Sequence, residues 1–300
     1  MTTDAPFLSL ACICGDAGAK TLARMLKSVI ERADGPLVDE IVIGWNGKDH
    51  AALENVIDSN STKAGAPLIP ISIGAIGEGV VGSIPLRIIR QEWQNDFAVA
   101  RNESFKHVRG EWVIWLDTDD LCSSTADLES LNGLKAINAV ERSLNLPLTT
   151  SSPSVGSTLK SWLKQLPWNV TCVRAPYDYM VDAQGNAVIR QTRRRVVRRS
   201  CYAWRMPIHE LLYPLPGIIE SAVDTAGLLV RHFPGEDSVA RMTRNKSVLD
   251  AMQERKGGPG DTTQPTNHAD ARHAYDVAAM NIALGDLAAA DSSIRTAIQR

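Results

Sequence analysis

Residues 95–120 read NDFAVARNESFKHVRGEWVIWLDTDD and carry the strongest structural signal in this 300-residue chain. The pattern predicts a helix over 97–108 and a buried strand over 112–116. The strand runs straight into Asp117, Thr118, Asp119 and Asp120, so that three carboxylates follow five apolar residues. In sheets of this kind ligands bind beyond the carboxyl ends of the strands, which makes this acidic segment the first candidate for a site.

Upstream of that segment, apolar runs alternate with helical patterns. The alternation predicts a mainly parallel α/β sheet with helices on both faces. The predicted elements are a strand over 7–14, a helix over 21–32, a strand over 38–43, a short helix around 53–57, a strand over 68–73 and a glycine-rich loop over 75–85.

Downstream, the pattern changes from alternation to a hairpin and then to a helical tail. Residues 170–181 and 187–197 flank the turn sequence DAQGN, which indicates an antiparallel hairpin added to the sheet. We expect an α/β domain over 1–235 and a helical extension over 236–300. A Gly, Pro and Thr-rich linker at 257–267 precedes an alanine-rich, tetratricopeptide-like repeat, which is expected to dock on the main domain, on a partner or on a second copy.

The composition argues against several classes of protein. A formal net charge of −2, from 32 basic and 34 acidic residues, argues against general nucleic-acid binding. No apolar run reaches the length of a membrane span, and the expected location is the cytoplasm. Five cysteines without a CxxC pair argue against a disulfide framework and a thiolate zinc site, so they are expected to be reduced and mostly buried.

The carboxylates after the 112–116 strand suit a divalent cation. Asp117 and Asp119 are separated by one residue, so a rigid strand end can hold Mg²⁺ or Mn²⁺ on one side while phosphate oxygens complete the shell. An isolated Asp-x-Asp triplet is more often a solvated loop or a helix cap. The buried strand before it favours the metal site here.

Residues 95–120 resemble the family 2 glycosyltransferases, particularly the bacterial and phage type with tetratricopeptide-like tails. In that family a DDF-x-x-ARN helix precedes a G-[DE]-W-[IV]-L-x-L-D-x-D-[DE] strand. Further segments resemble the family in the same order. These are residues 8–43 with LSLACIC and VDEIVI, RVVR at 195–198, AWRMPIHE at 203–210, LVRHFPG at 229–235 and RNK at 244–246.

The resemblance implies a GT-A fold, a Rossmann-like mixed sheet flanked by helices, and inverting sugar transfer from a nucleotide sugar to an acceptor hydroxyl with Mn²⁺ or Mg²⁺. By position, Asp117 and Asp119 would bracket the metal and the ribose-diphosphate, with Asp120 supporting them. His232 would be a late metal or diphosphate ligand. An ordinary core or surface histidine is the alternative for His232.

Inverting transfer also needs a base for the acceptor hydroxyl. The resemblance points to Glu210, since a carboxylate can take a proton that is given up late in the reaction. His209 would orient Glu210 or bind the acceptor. The alternative for Glu210 is a glutamate at a helix start, stabilised by the helix dipole.

Several polar residues are candidates for contacts with the donor. Arg101 and Asn102 would reach the nucleotide or hold the loop, whereas the alternative is an ordinary pair on a helix surface. Asp96 either contacts the nucleotide or caps that helix. Arg195 and Arg198 match the arginine pair of the family and would clamp the diphosphate or the acceptor.

The segment after the second strand departs from the family. Where the family commonly shows D-T-G-S-x-D, this chain has GWNGKD at 44–49, so only Asp49 matches the last position. Trp45 could stack on a base or simply pack. Asp16 follows the first strand, in place of the usual Lys-Asn-Glu, and is a candidate nucleotide contact. A UDP-sugar is the first expectation for the donor.

Two other functions stay open at this point. One is a GT-A fold without catalysis that serves as a binding or scaffold module through its helical tail. The other is a sugar nucleotidyltransferase, against which we find no G-x-G-x-x-[RK] signature near the first strand. The acceptor is expected to be a protein or a glycan.

Overall fold

The structure is a computed structural model that describes residues 5–32, 35–58, 72–123, 158–182, 185–208, 210–225, 227–233 and 238–256, together with Asp291 and Arg295. Within these residues the helices are α1 (Asp16–Ile30), α2 (His50–Asp58), α3 (Phe97–His107), α4 (Leu159–Leu163) and α5 (Ser238–Lys256). The strands are β1 (Leu8–Cys14), β2 (Glu40–Trp45), β3 (Ile76–Val81), β4 (Ile84–Arg90), β5 (Trp112–Trp115), β6 (Asp120–Ser123), β7 (Cys172–Val181), β8 (Ala187–Arg198), β9 (Tyr202–Arg205), β10 (Leu211–Pro214), β11 (Ala222–Asp224) and β12 (Leu229–His232).

The centre of the main sheet is parallel. The strand order is β3-β4-β2-β1-β5-β8-β7-β12-β6, with β11 paired to β7, and β9 and β10 form a separate two-stranded sheet. Strand β1 lies between β2 and β5 and is parallel to both. The chain therefore builds outward in two directions from β1. A place where the strand order reverses in this way is called a topological switch point. The carboxyl ends of β1 and β5 meet there, and α/β sheets bind ligands at such points.

Antiparallel strands extend the sheet beyond β5. Strand β8 pairs antiparallel with both β5 and β7, which confirms the predicted hairpin. Strand β12 is parallel to β7 and antiparallel to β6. This mixed sheet flanked by helices is the predicted GT-A type of fold.

The core forms because the central strands are apolar on both faces. Strand β1 has the sequence LSLACIC and β2 has EIVIGW, and nearly every residue in them is buried. Helix α1 contributes a stripe at helical spacing, with Leu22, Met25, Leu26 and Val29 each 0% exposed. All five cysteines are free and buried, as predicted.

The prediction of a glycine-rich loop over 75–85 is wrong. Strands β3 and β4 form an antiparallel hairpin there, with Gly82 in its turn at a φ of 61°. Strand β4 then pairs with β2 in parallel. The glycines of β3 alternate with larger residues on a partly exposed strand, and such a composition is also typical of a loop. Of the strand predicted over 68–73, residues 68–71 lie outside the described residues, and Ser72 and Ile73 are in a bend and a turn.

The chain divides into two compact units. The first comprises Met1–Glu92, Ala100–Trp204 and Leu212–Gly235, and the second comprises Trp93–Val99, Arg205–Leu211 and Glu236–Arg300. The second unit has its own small core of Ile208, Val248 and Leu249. The domain boundary at 235/236 stays a prediction. The linker at 257–267 and the tetratricopeptide-like repeat lie outside the described residues, apart from Asp291 and Arg295.

Across the helices that the structure describes, none combines the length and the apolar character needed to cross a membrane.

Candidate active site

The acidic segment sits where β5 ends and β6 begins. Residues 117–120 form a tight turn, in which the amide of Asp120 donates to the carbonyl of Asp117 over 3.0 Å. Strand β12 runs antiparallel to β6 and places His232 opposite Asp120. The amide of Phe233 also donates to the carbonyl of Asp119 over 2.9 Å. Sheet pairing therefore brings together residues more than one hundred positions apart.

Asp119, Asp120 and His232 form a cluster that we call the acid–histidine cluster. One ligand atom from each lies within 4.8 Å of the other two, the only such group of His, Cys, Asp and Glu in the described part of the chain. Nδ1 of His232 is 3.5 Å from Oδ1 of Asp119 and 3.6 Å from Oδ1 of Asp120. Both Nδ1 of His232 and Oδ1 of Asp120 are buried without a hydrogen-bond partner.

Asp117 is held beside this cluster by an arginine. Nη2 of Arg101 donates to Oδ1 of Asp117 over 2.5 Å. The Arg101 guanidinium also lies over two indole rings, 5.2 Å from the centre of Trp115 and 4.8 Å from that of Trp204. Arg101 therefore neutralises and orients Asp117 at the end of β5, in contrast to an ordinary surface arginine.

Asp120 lies deeper than its neighbours and has a different arginine partner. Its side chain is 0% exposed, and Oδ2 accepts from Nη1 of Arg195 over 3.0 Å and from the Asp117 amide over 3.1 Å. These two donors account for Oδ2 and leave Oδ1 facing His232.

The charges of the site change the acidity of its members. Burial raises the pKa of Asp119 to about 6, and the Asp117 carboxylate adds to this effect. Burial alone would raise the pKa of Asp117, but the Arg101 and Arg195 guanidiniums outweigh it and hold that pKa below its ordinary value. Burial opposes the charged form of His232, yet the Asp120 and Asp119 carboxylates raise the pKa of its imidazole.

The acid–histidine cluster fits a divalent cation. Two carboxylate oxygens and one imidazole nitrogen are a donor set that Mn²⁺ accepts, and Mg²⁺ accepts the oxygen part. A cation between them would also satisfy the two buried atoms that lack partners, Oδ1 of Asp120 and Nδ1 of His232. Of the predicted ligands Asp117, Asp119 and His232, the last two lie together in this cluster. The cluster contains Asp120 and not Asp117, whose Oδ1 accepts from Arg101; the role of Asp117 as a metal ligand stays a prediction.

The turn after β2 is shaped by residues that were predicted to contact the nucleotide. Asp16 begins α1, and its Oδ1 accepts from the amides of Lys48 and Asp49 over 2.7 and 2.8 Å. Asp49 accepts from the Ala52 amide and so caps α2. Trp45 is 0% exposed, so its ring packs in the core and offers no face to a base. Of the two interpretations of Trp45, the structure supports packing.

Three further candidates have structural partners. Asp96 caps α3 by accepting from the Val99 amide over 2.9 Å, which confirms the capping alternative. Asn102 exchanges two hydrogen bonds with the backbone of Trp204, of 2.9 and 2.8 Å. Arg198 pairs across the sheet with Trp112, the first residue of β5, and Nε of Arg198 donates to the Val170 carbonyl. The structure therefore places Arg198 at the end of β5 opposite to Asp117.

The predicted catalytic pair is described only in part. Glu210 lies between β9 and β10, is partly exposed, and belongs to the second compact unit. His209 lies outside the described residues. Their catalytic roles stay predictions.

Sequence reasoning missed the aromatic surroundings of the cluster. Tyr179 stacks on the His232 ring at a centroid distance of 5.7 Å, with the two planes 4° apart. Tyr177 and Trp115 both pack against the Arg195 guanidinium, with ring centres 4.2 and 3.9 Å from its central carbon. Alternation along β7 puts Tyr177 and Tyr179 on one face, but only the pairing of β7 with β12 reveals which residue they contact.

Comparison with protein families gives one match. Residues 12–136, less than half of the chain, match the family model described as glycosyl transferase family 2. The matched segment begins within β1 and contains the whole acidic turn with Asp117, Asp119 and Asp120. This match supports a glycosyltransferase. His232, Arg195 and Glu210 lie beyond it.

Comparison with solved structures gives distant likenesses. S. aureus TarS 1-349 is 11% identical, with 92% of this chain and 72% of that chain covered and a TM-score of 0.37. The same protein in complex with UDP is 10% identical, with coverages of 98% and 91% and a TM-score of 0.39. HddC from Yersinia pseudotuberculosis is 10% identical, with coverages of 80% and 99% and a TM-score of 0.33. No curated protein matches the chain.

Proposed function

We propose that this chain is a metal-dependent, inverting glycosyltransferase that moves a sugar from a nucleotide-sugar donor to a hydroxyl of a protein or glycan. The observation that carries the proposal is the acid–histidine cluster at the carboxyl end of β5. It lies at the switch point of the sheet, its acidic turn falls inside the family 2 match, and two of its buried ligand atoms have no hydrogen bond.

The site meets the main electrostatic demand of sugar transfer. When the bond between the anomeric carbon and the diphosphate breaks, negative charge grows on the leaving phosphate oxygen. The cluster would hold a divalent cation, whose Lewis acidity would stabilise this charge. Asp119, Asp120 and His232 would hold the cation, and Arg101 keeps Asp117 ionised and oriented beside it.

The first turn of α1 lies close to the same loop. A Cβ added to Gly18 would lie 2.7 Å from Oγ1 of Thr118, so the helix and the acidic turn approach as closely as glycine allows. The amino end of a helix favours phosphate groups. The diphosphate of the donor is therefore proposed to lie between the amino end of α1 and the cluster, with a UDP-sugar as the first donor to test.

The acceptor is proposed to be activated by Glu210. A carboxylate there would take the proton of the acceptor hydroxyl as its oxygen forms the new bond to the anomeric carbon from the face opposite the diphosphate. This assignment rests on the resemblance of residues 203–210 to the family. If it is right, Glu210→Gln abolishes transfer while Mn²⁺ binding persists, and the product has inverted anomeric configuration by NMR.

The test of the function measures release of nucleoside diphosphate from UDP-, GDP- and TDP-sugars with Mn²⁺. Losing the cation site should slow the reaction by about 100-fold or more, so Asp119→Asn is expected to be nearly inactive. Glu31→Gln is the matched control, because it removes an exposed carboxylate at the other end of α1. If the wild type released no nucleoside diphosphate from any of these donors, the result would contradict the proposal and favour a scaffold. Release of pyrophosphate from a nucleoside triphosphate and a sugar phosphate would favour a nucleotidyltransferase.

A further inference from the structure

We propose that Arg195 is a positioning residue for the cation site and does not contact the donor. The proposal rests on the proposed function, because it concerns how Asp120 is presented to the cation. It replaces the expectation that Arg195 clamps the diphosphate or the acceptor.

Arg195 is enclosed on every side that matters for substrate contact. Its side chain is 1% exposed. The guanidinium carbon lies 3.9 Å from the centre of the Trp115 ring and 4.2 Å from that of Tyr177, so the group is packed against two aromatic rings. Nη1 donates to the Trp115 carbonyl over 3.3 Å and to Oδ2 of Asp120 over 3.0 Å. A guanidinium in this position is too enclosed to contact a diphosphate directly, and its one side-chain hydrogen bond within the cluster goes to Asp120.

The contact of Arg195 with Asp120 decides which carboxylate oxygen is available. Oδ2 receives the Arg195 guanidinium and the Asp117 amide, so its position is determined by the backbone and by a buried side chain. Oδ1 is left buried, without a hydrogen bond, and 3.6 Å from Nδ1 of His232. Groups that bind the second oxygen of a ligating carboxylate orient it and tune metal affinity.

Arg195 also offsets the crowding of negative charge. Asp117, Asp119 and Asp120 lie within four positions, and Asp120 has no exposed surface through which water could solvate it. A buried carboxylate that loses its cationic partner is left uncompensated, which is costly. Removal of Arg195 should therefore leave Asp120 less well oriented and without its buried cationic partner.

Arg198 provides a matched control on the same strand. It also stacks on an indole of β5, with its guanidinium carbon 4.4 Å from the centre of the Trp112 ring. Its partners are the Val170 carbonyl and Glu111, at the opposite end of β5 from the acidic turn. Loss of Arg198 should thus affect packing of β8 on β5 in a similar way, without touching the cluster.

The test is a titration of the intact protein with Mn²⁺ in the absence of any donor. Electron paramagnetic resonance measures the concentration of unbound Mn²⁺ at each step. Arg195→Met, which keeps an unbranched stem but removes the guanidinium and its charge, is expected to weaken Mn²⁺ binding by about 10–100-fold. Arg195→Lys should fall between the wild type and Arg195→Met, because an ammonium retains the charge but not the planar fork. Arg198→Met is expected to bind Mn²⁺ like the wild type.

The outcomes separate the two proposals. If the wild type binds Mn²⁺ and Arg195→Met binds it equally well, the positioning role is overturned while the proposed function stands. If the wild type does not bind Mn²⁺, the metal-dependent function fails and the positioning role fails with it. Thermal unfolding in EDTA checks that each variant is folded. If Arg195→Met does not fold, Arg195→Lys decides, and wild-type affinity in that variant would overturn the role.

Discussion

Replacing Asp119 by asparagine should make the metal-free protein more stable while it removes the cation site. Burial and Asp117 raise the pKa of Asp119 from 3.8 to about 6, which means that the folded state disfavours its ionised form. That difference corresponds to about 3 kcal/mol at neutral pH. The attraction between Asp119 and His232 is already contained in this shift. Because asparagine reproduces the neutral carboxyl only in part, we expect a net stabilisation of about 1–3 kcal/mol.

The sign of the pH dependence follows from the direction of the shift. Between pH 3.8 and about 6, folded Asp119 keeps a proton that the unfolded chain has already released. The free energy of unfolding therefore falls as pH rises through this window, and the cost is complete above it. The advantage of Asp119→Asn should be largest near pH 7 and should vanish near pH 4.

The assay is urea unfolding of the wild type, Asp119→Asn and Glu31→Gln in EDTA at the two pH values. Glu31 is exposed and forms an ion pair with the exposed Lys27 at 3.4 Å, so its variant should stay within about 0.5 kcal/mol of the wild type. Saturating Mn²⁺ should reverse the order, because a ligand stabilises only the protein that binds it. Equal or lower stability of Asp119→Asn near pH 7 in EDTA, or an advantage that is the same at both pH values, would refute the reasoning.

Three further predictions concern the supports of the site. Arg101→Met should destabilise the protein by about 1–3 kcal/mol in urea unfolding, because Asp117 loses its partner; stability equal to the wild type would contradict the pairing. Asn102→Ala should cost a similar amount, about 1–3 kcal/mol, by leaving two backbone groups of Trp204 without partners, and Asn102→Asp should retain only the bond from the Trp204 amide. The five cysteines should not react with a thiol reagent in the native state and should all react in urea, since burial raises the pKa of Cys12 to about 12; rapid labelling of the native protein would show that the β1 core opens.

Local patterns were enough to predict the parallel half of the fold. Strand β1, helix α1, strand β2, helix α3 and strand β5 are each indicated by an apolar run or by helical spacing. Their alternation implies a parallel sheet with a site at its carboxyl edge. The β3–β4 hairpin was missed because a partly exposed, glycine-containing strand has neither a continuous apolar run nor a clear alternation.

The sequence by itself determined that three carboxylates end a buried strand, since an apolar run and the residues directly after it need no distant information. It also pointed to His232, although only through resemblance. Only the tertiary structure decided that Asp120 lies next to His232 and that Arg195 donates a hydrogen bond to Asp120. These relations depend on the register of β12 on β6 and of β8 on β5, and register is set by packing between strands far apart in the chain.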